Sequence, residues 1–270
     1  MSLPTTYLFV PGNRPDRFDK ALNSGADAII LDLEDAVDPA SKDAAREAVG
    51  AWLDSGHATD GRVLIRINDD ATPWYGGDCA LLDRFRSVGI VLPKAERADQ
   101  VATLPKGGVV VPLIETARGL RAVDEIAAAD GVQRLAFGTL DFAADLDLSG
   151  DERGLIQPAM MIALASRCAE KAAPVAGVTP AIDDADALKR DLDFARAFGF
   201  TAKLCIHPRQ VAAVREALAP TPAEQDWARR VIAAAEAGTG AVQMDGRMVD
   251  RPVLLKAHAI LDRAIPDTHS

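Results

Sequence analysis

Eight short and almost wholly apolar runs recur along the chain, each followed by a longer amphipathic stretch. They are TYLFV (6–10), DAIILDL (27–33), RVLIRIN (62–68), GIVLPK (89–94), GVVVPLIE (108–115), QRLAFGTLD (133–141), APVAGV (173–178) and AKLCIH (202–207). A strand with one wet face alternates apolar and polar side chains, and these runs do not alternate. Nearly continuous apolar content suits strands buried on both faces, as in parallel sheets covered by helices.

The stretches between the runs obey helix rules. RPDRFDKALNSG places apolar residues at 18, 21 and 22 and stops at Gly25. SKDAAREAVGAWL opens on Ser41, the expected N-cap, and GLRAVDEIAAADG ends at Gly131. IQPAMMIALASRCAEKA and DDADALKRDLDFARAFGF are Ala-rich and amphipathic. Strand–helix cycles of this kind across residues 1–220 predict an α/β fold, a TIM (β/α)8 barrel. A doubly wound open sheet is the runner-up. It would usually carry a Gly-rich phosphate fingerprint after the first strand, and FVPGNRP has a single Gly. Residues 221–270 are expected to form a C-terminal helical extension, an appendage with no strand–helix cycle of its own.

Charge and composition narrow the function classes. A formal net charge of −10 disfavours nonspecific nucleic-acid binding, which needs a basic surface. A content of 49% hydrophobic and 26% charged residues argues for a packed globular chain. Cys79, Cys168 and Cys205 are odd in number and widely spaced, so reduced packing thiols are expected. Neither a signal peptide nor a membrane-spanning stretch is read, and the chain is expected in the cytoplasm.

Chemistry in such a barrel sits at the C-terminal strand ends. Those ends carry Arg14 and Arg17, then Asp32, Glu34 and Asp35, then Arg66 and Asn68, Lys94, Glu115, Asp141 and His207. Glu115 and Asp141 close adjacent runs and suggest a divalent cation. Two hard carboxylates completed by water and substrate suit Mg2+. The plainer alternative is two salt-bridged carboxylates capping the next helices. Zinc is not indicated, because His57, His207, His258 and His269 lack ligand spacing. Arg66 interrupts an apolar strand and so needs a partner or a ligand. Its fork matches the carboxylate of a substrate, or else a structural pair with Glu34 or Asp35. Glu34 and Asp35 read as groups behind the cation's waters or as an acidic first helical turn. Lys94 reads as a salt bridge to Glu115 or Asp35 rather than as a Schiff-base amine, His207 as a helix-entry residue, and Cys205 as core.

Taken together, YLFVPGNRPDRFDKAL, DAIILDLEDAV, RIN, VLPKAE, PLIETARGL, FGTLDFAADL and GRMVDRP resemble the citrate lyase beta subunit family of the HpcH/HpaI aldolase superfamily, in the family's order, from about residue 5 to 262. The resemblance implies a TIM barrel with Mg2+ on Glu115 and Asp141, and Arg66 gripping the carboxylate of a small 2-oxoacid. It implies acyl-CoA or acyl-carrier-protein thioesters cleaved or joined at a C–C bond. It assigns proton transfer to Asp250 of the GRMVD segment, often delivered to a neighbouring subunit, and trimeric or hexameric assembly. Arg14 and Arg17, at a strand end that opens a helix, are candidates for the CoA phosphates.

Overall fold

The structure, a computed structural model, describes residues 3–237, 242–244 and 247–264. Strand and helix alternate: β1 (Thr6–Pro11), α1 (Phe18–Leu22), β2 (Ala28–Asp32), α2 (Lys42–Asp54), β3 (Val63–Arg66), α3 (Tyr75–Arg84), β4 (Gly89–Leu92) and α4 (Ala98–Ala102). The cycle continues with β5 (Val110–Ile114), α5 (Ala117–Arg121), α6 (Val123–Ala128), β6 (Ala136–Phe137), α7 (Thr139–Asp145), α8 (Arg153–Cys168), β7 (Val175–Ala176), α9 (Ala185–Ala197), β8 (Ala202–Cys205) and α10 (Pro208–Leu218). All eight strands pair in parallel, each with its sequence neighbour, and β8 returns to β1 through Thr6↔Lys203 to Leu8↔Cys205. Closure excludes the doubly wound alternative and makes the fold a TIM barrel.

The unbroken apolar runs follow from this geometry. In β2, Ala28 and Ile30 join an inner cluster with Tyr7, Leu64, Val91 and Leu113. Successive side chains point to opposite faces, so Ile29 and Leu31 face the helical layer, and all four are fully buried. With both faces dry, no position is left for alternation.

Three local expectations are corrected. Ser41 precedes α2, but its hydroxyl caps nothing; a 3-10 turn, Pro39–Ser41, leads into the helix instead. The run 133–141 is only briefly strand. Gly138 N–H bonds Ile114 O at 3.0 Å, and the chain turns at once into α7. Asp141 therefore lies in the first turn of a helix, not at a strand tip.

The chain resolves into two compact units, Pro4–Val214 and a second one built from Arg215 onward. In the second, α11 (Pro222–Ala237) packs on α12 (Arg251–Asp262) through Ala228, Val231, Ala257 and Ile260. Between them β9 (Val242–Met244) and β10 (Arg247–Val249) pair antiparallel. This hairpin adds to the helical extension expected there. No helix among the described residues is long and apolar enough to cross a membrane.

Candidate active site at the barrel rim

The rim is organised by the turn after β2. Asp32 ends that strand, is 1% exposed, and folds the following loop around its own carboxylate. Its Oδ1 accepts from Glu34 N–H at 2.9 Å and its Oδ2 from Ala36 N–H at 3.2 Å, an Asx-type turn. Lys42, buried in the first turn of α2, donates from Nζ to Leu33 O at 2.7 Å and Glu34 O at 2.6 Å. The turn is thus held from both sides, with Glu34 buried and Asp35 exposed.

Arg66 stands directly across the ladder from Asp32. Its Nε and Nη2 donate to the two Asp32 carboxylate oxygens at 2.7 and 2.6 Å. Nη1 lies 2.9 Å from Glu34 Oε2 and 3.7 Å from Asp35 Oδ2. The Phe9 ring lies under the guanidinium, 4.8 Å from centroid to carbon. Expected partners were Glu34 or Asp35, but the bidentate edge of the fork belongs to Asp32. The Nη1 corner, which Asp32 leaves open, carries the expected ion pair with Glu34.

Glu115 follows β5 and is 2% exposed. Its Oε1 accepts from the Lys94 main-chain N–H at 2.7 Å, and its Oε2 has no hydrogen-bond partner. Space for it comes from Gly138, where a Cβ would stand 2.6 Å from both Glu115 Cβ and Oε2. Burial, with the Glu34 and Asp141 carboxylates adding to it, pushes the Glu115 carboxyl up to about 8. Burial also raises Glu34, against the pull of Arg66 and Lys94. Lys94 adopts φ 43°, an unusual left-handed conformation for a side chain with a Cβ. That twist aims its N–H at Glu115 while Nζ reaches Glu34 Oε1 at 3.3 Å. Its ion pair is thus with Glu34, not with Glu115 or Asp35.

The rim therefore gathers Glu34, Glu115 and Asp141 with an excess of negative charge and two buried oxygens, Glu34 Oε2 and Glu115 Oε2, that have no hydrogen-bond partner. Such a set fits a hard divalent cation. No group of three His, Cys, Asp or Glu side chains poised to hold a metal is found among the described residues. Two carboxylates, with the remaining positions left to water and substrate, match the habit of Mg2+.

The other candidate residues make local contacts of their own. Arg14 is exposed and doubly hydrogen-bonded to Asp16 at 2.9 Å. Arg17 closes a three-residue 3-10 turn before α1, which has five residues, so the helix N-terminus expected to help bind phosphate is only vestigial. Asp250 is exposed and caps α12, accepting from Val253 N–H at 3.1 Å. His207 sits at the entry of α10, its Nδ1 facing Arg209 N–H at 3.2 Å, and Cys205 is fully buried. Sequence reasoning passed over Asp32, Lys42 and Gly138 as site residues. Asp32 was visible as a strand-end acid, but only the β2–β3 register reveals its partner.

A family profile described as HpcH/HpaI aldolase/citrate lyase matches residues 5–208. A citrate lyase subunit beta-like protein of Mycobacterium tuberculosis is 38% identical over 264 residues, covering 96% of this chain and 94% of its own. A (3S)-malyl-CoA thioesterase of Cereibacter sphaeroides is 31% identical over 267 residues, covering 96% and 94%. The crystal structure of CitE from Mycobacterium tuberculosis in complex with magnesium, acetoacetate and coenzyme A superposes with a TM-score of 0.84 at 37% identity, covering 96% of this chain and 97% of that one.

Proposed function

Because the chain belongs to the HpcH/HpaI aldolase/citrate lyase family, we propose that it is a Mg2+-dependent carbon–carbon lyase. It cleaves a 3-hydroxyacyl thioester of the citryl, citramalyl or malyl type into an acetyl thioester and a 2-oxoacid. The observation that carries this reading is Glu115, a nearly buried carboxylate with one unpartnered oxygen at the barrel rim. Magnesium in the related CitE complexes supports the same assignment.

Glu115 and Asp141 would hold the ion, which when bound supplies Lewis-acid polarisation of a substrate oxygen. Arg66 is fixed by Asp32 and Phe9, and its Nη1 corner orients the carboxylate of the oxoacid half. Because the guanidinium is already locked, little side-chain entropy is lost when substrate arrives. Glu34 and Asp35 tune that corner and face the waters around the site. Asp250 moves the proton at the acetyl carbon, protonating it on cleavage and removing it on condensation. Arg14 and Arg17 contact the phosphates of CoA. The active assembly is a trimer or hexamer in the cytoplasm, with residues 1–220 as the catalytic barrel and 221–270 as the segment that brings Asp250.

A thioesterase reading also deserves an arm of the test, because the Cereibacter sphaeroides relative carries that name. Turnover of citramalyl-, malyl-, citryl- and hydroxymethylglutaryl-CoA is measured with Mg2+ and with EDTA. Metal-dependent release of acetyl-CoA plus an oxoacid is expected. Release of free CoA with an intact hydroxyacid would establish the hydrolase instead. Silence on every thioester, with aldehyde–pyruvate exchange present, would move the protein to the class II aldolases. Silence in both assays would leave a noncatalytic or carrier-protein-dependent subunit.

A further inference from the structure

A cavity lies between the outer wall of the barrel and its helical layer. Ala136, Val175, Ala202 and Leu204 point into the barrel core. Their neighbours Phe137, Ala176 and Lys203 therefore point outward, and there they line a cavity of about 280 Å³ that Thr139 of α7, Leu155 of α8 and Phe194 of α9 also border. Its walls are mainly apolar. Lys203 is the buried charged group among them, at 2% exposure.

A buried ammonium needs partners for three donors. Lys203 Nζ has one hydrogen bond, to Gly177 O at 2.6 Å. The Asp191 carboxylate is 3.9 Å away, beyond hydrogen-bonding distance, and takes its own hydrogen bond from the Thr179 hydroxyl. No other hydrogen bond engages this amine among the described residues. Burial lowers the affinity of Lys203 for its proton, with Asp191 pulling the other way. Asp151 and Glu152 border the cavity and are exposed. With Asp191 they disfavour an anionic guest, so the amine is offered to a neutral one.

We propose that this cavity binds small neutral carbonyl compounds with an apolar body, and that Lys203 captures them as an imine. The neutral amine's lone pair attacks the carbonyl carbon and forms the C–N bond. The carbonyl oxygen takes up a proton from the attacking nitrogen and becomes the carbinolamine hydroxyl. Loss of that hydroxyl as water, with a proton leaving nitrogen, gives the C=N bond. The ammonium proton is lost to solvent before attack; the Asp191 carboxylate, 3.9 Å away, makes no direct hydrogen bond to the amine. A desolvated lysine in an apolar pocket is the usual setting for such chemistry. The site uses none of the rim residues, so its failure would leave the lyase reading standing.

The test is reductive trapping on the full chain with benzaldehyde and cyanoborohydride, read by peptide mass mapping. Lys203 is expected to carry the adduct at least tenfold more than any exposed lysine. 4-Carboxybenzaldehyde, with its added negative charge, is expected to label Lys203 several-fold less. Adducts spread over exposed lysines, with Lys203 unmodified, would overturn the proposal. Leu155→Trp narrows the cavity from a half-buried position and is checked for folding by circular dichroism. It is expected to suppress the Lys203 adduct; unchanged labelling in that folded variant would equally overturn the site.

Discussion

Glu115 meets an electrostatic cost that its neighbours leave uncompensated. Its carboxyl is pushed up to about 8 in the folded protein, against roughly 4.3 in an unfolded chain. A raised folded value means that stability is fully present below the unfolded value and lost as pH rises toward the folded one. The metal-free protein should therefore weaken between about pH 4 and 8 and level off above. Glu115→Gln keeps an acceptor for Lys94 N–H and removes the charge. It is expected to stabilise the metal-free protein at pH 8 by on the order of 2–4 kcal/mol, and hardly at all at pH 4. Urea denaturation in EDTA at both pH values measures this; equal effects at both would remove the burial explanation. The same variant should bind Mg2+ far more weakly by calorimetry. Gly138→Ala places a methyl 2.6 Å from Glu115 Oε2, so Mg2+ affinity is expected to fall at least tenfold. An unchanged isotherm would mean that the carboxylate can swing aside. Much at this scale was legible in the sequence: a carboxylate finishing an apolar run has few structural uses. The Asp32 clasp on Arg66 was not legible, because ladder register is a property of two strands at once.

Among elements, the β2–β3 pair and the α12 cap carry the sharpest expectations. Asp32↔Arg66 joins two strands at their functional ends, and Asp32 also holds the turn that presents Glu34. Asp32→Ala strands a nearly buried guanidinium and is expected to cost about 3–5 kcal/mol, read by urea melts. Asp250 tests a role and a cap separately. Asn is as good an N-cap as Asp, so Asp250→Asn should keep the melting temperature within a degree or two. As a proton-transfer residue it should still lose roughly 10²–10⁴ in turnover. Full turnover in that variant would return Asp250 to a purely structural role. Element types were readable from periodicity, and α11 (Pro222–Ala237) lies within the helical extension expected there. The hairpin of β9 and β10 was missed, since two three-residue strands carry too little pattern to register. The brevity of β6 was missed for a related reason: FGTLDF reads as one apolar run, but Gly138 turns it into a helix.

For the whole molecule, the family assignment and the carboxylate-rich rim make one joint prediction. A cation that binds only the folded state adds about 2.7 kcal/mol at a hundredfold excess over Kd. A rise in melting temperature of roughly 5–10 °C with Mg2+ over EDTA is expected by calorimetry. Absence of that shift, with Glu115 intact, would separate the protein from the metal-dependent reading. The closed barrel itself was foreseeable. Strands buried on both faces must be apolar throughout, and their repetition with helices leaves few architectures. Charged residues at the strand ends were equally plain, because an apolar run cannot hide them. Sequence alone therefore determined the class of fold and the strand ends at which the charged residues gather. Only the tertiary structure decided which charges meet. It gave Arg66 to Asp32, turned Lys94 into a left-handed bridge between Glu34 and Glu115, and left one oxygen of Glu115 without a partner. Those outcomes depend on distances of a few ångströms between separate strands, and a linear pattern holds no record of them until the barrel closes.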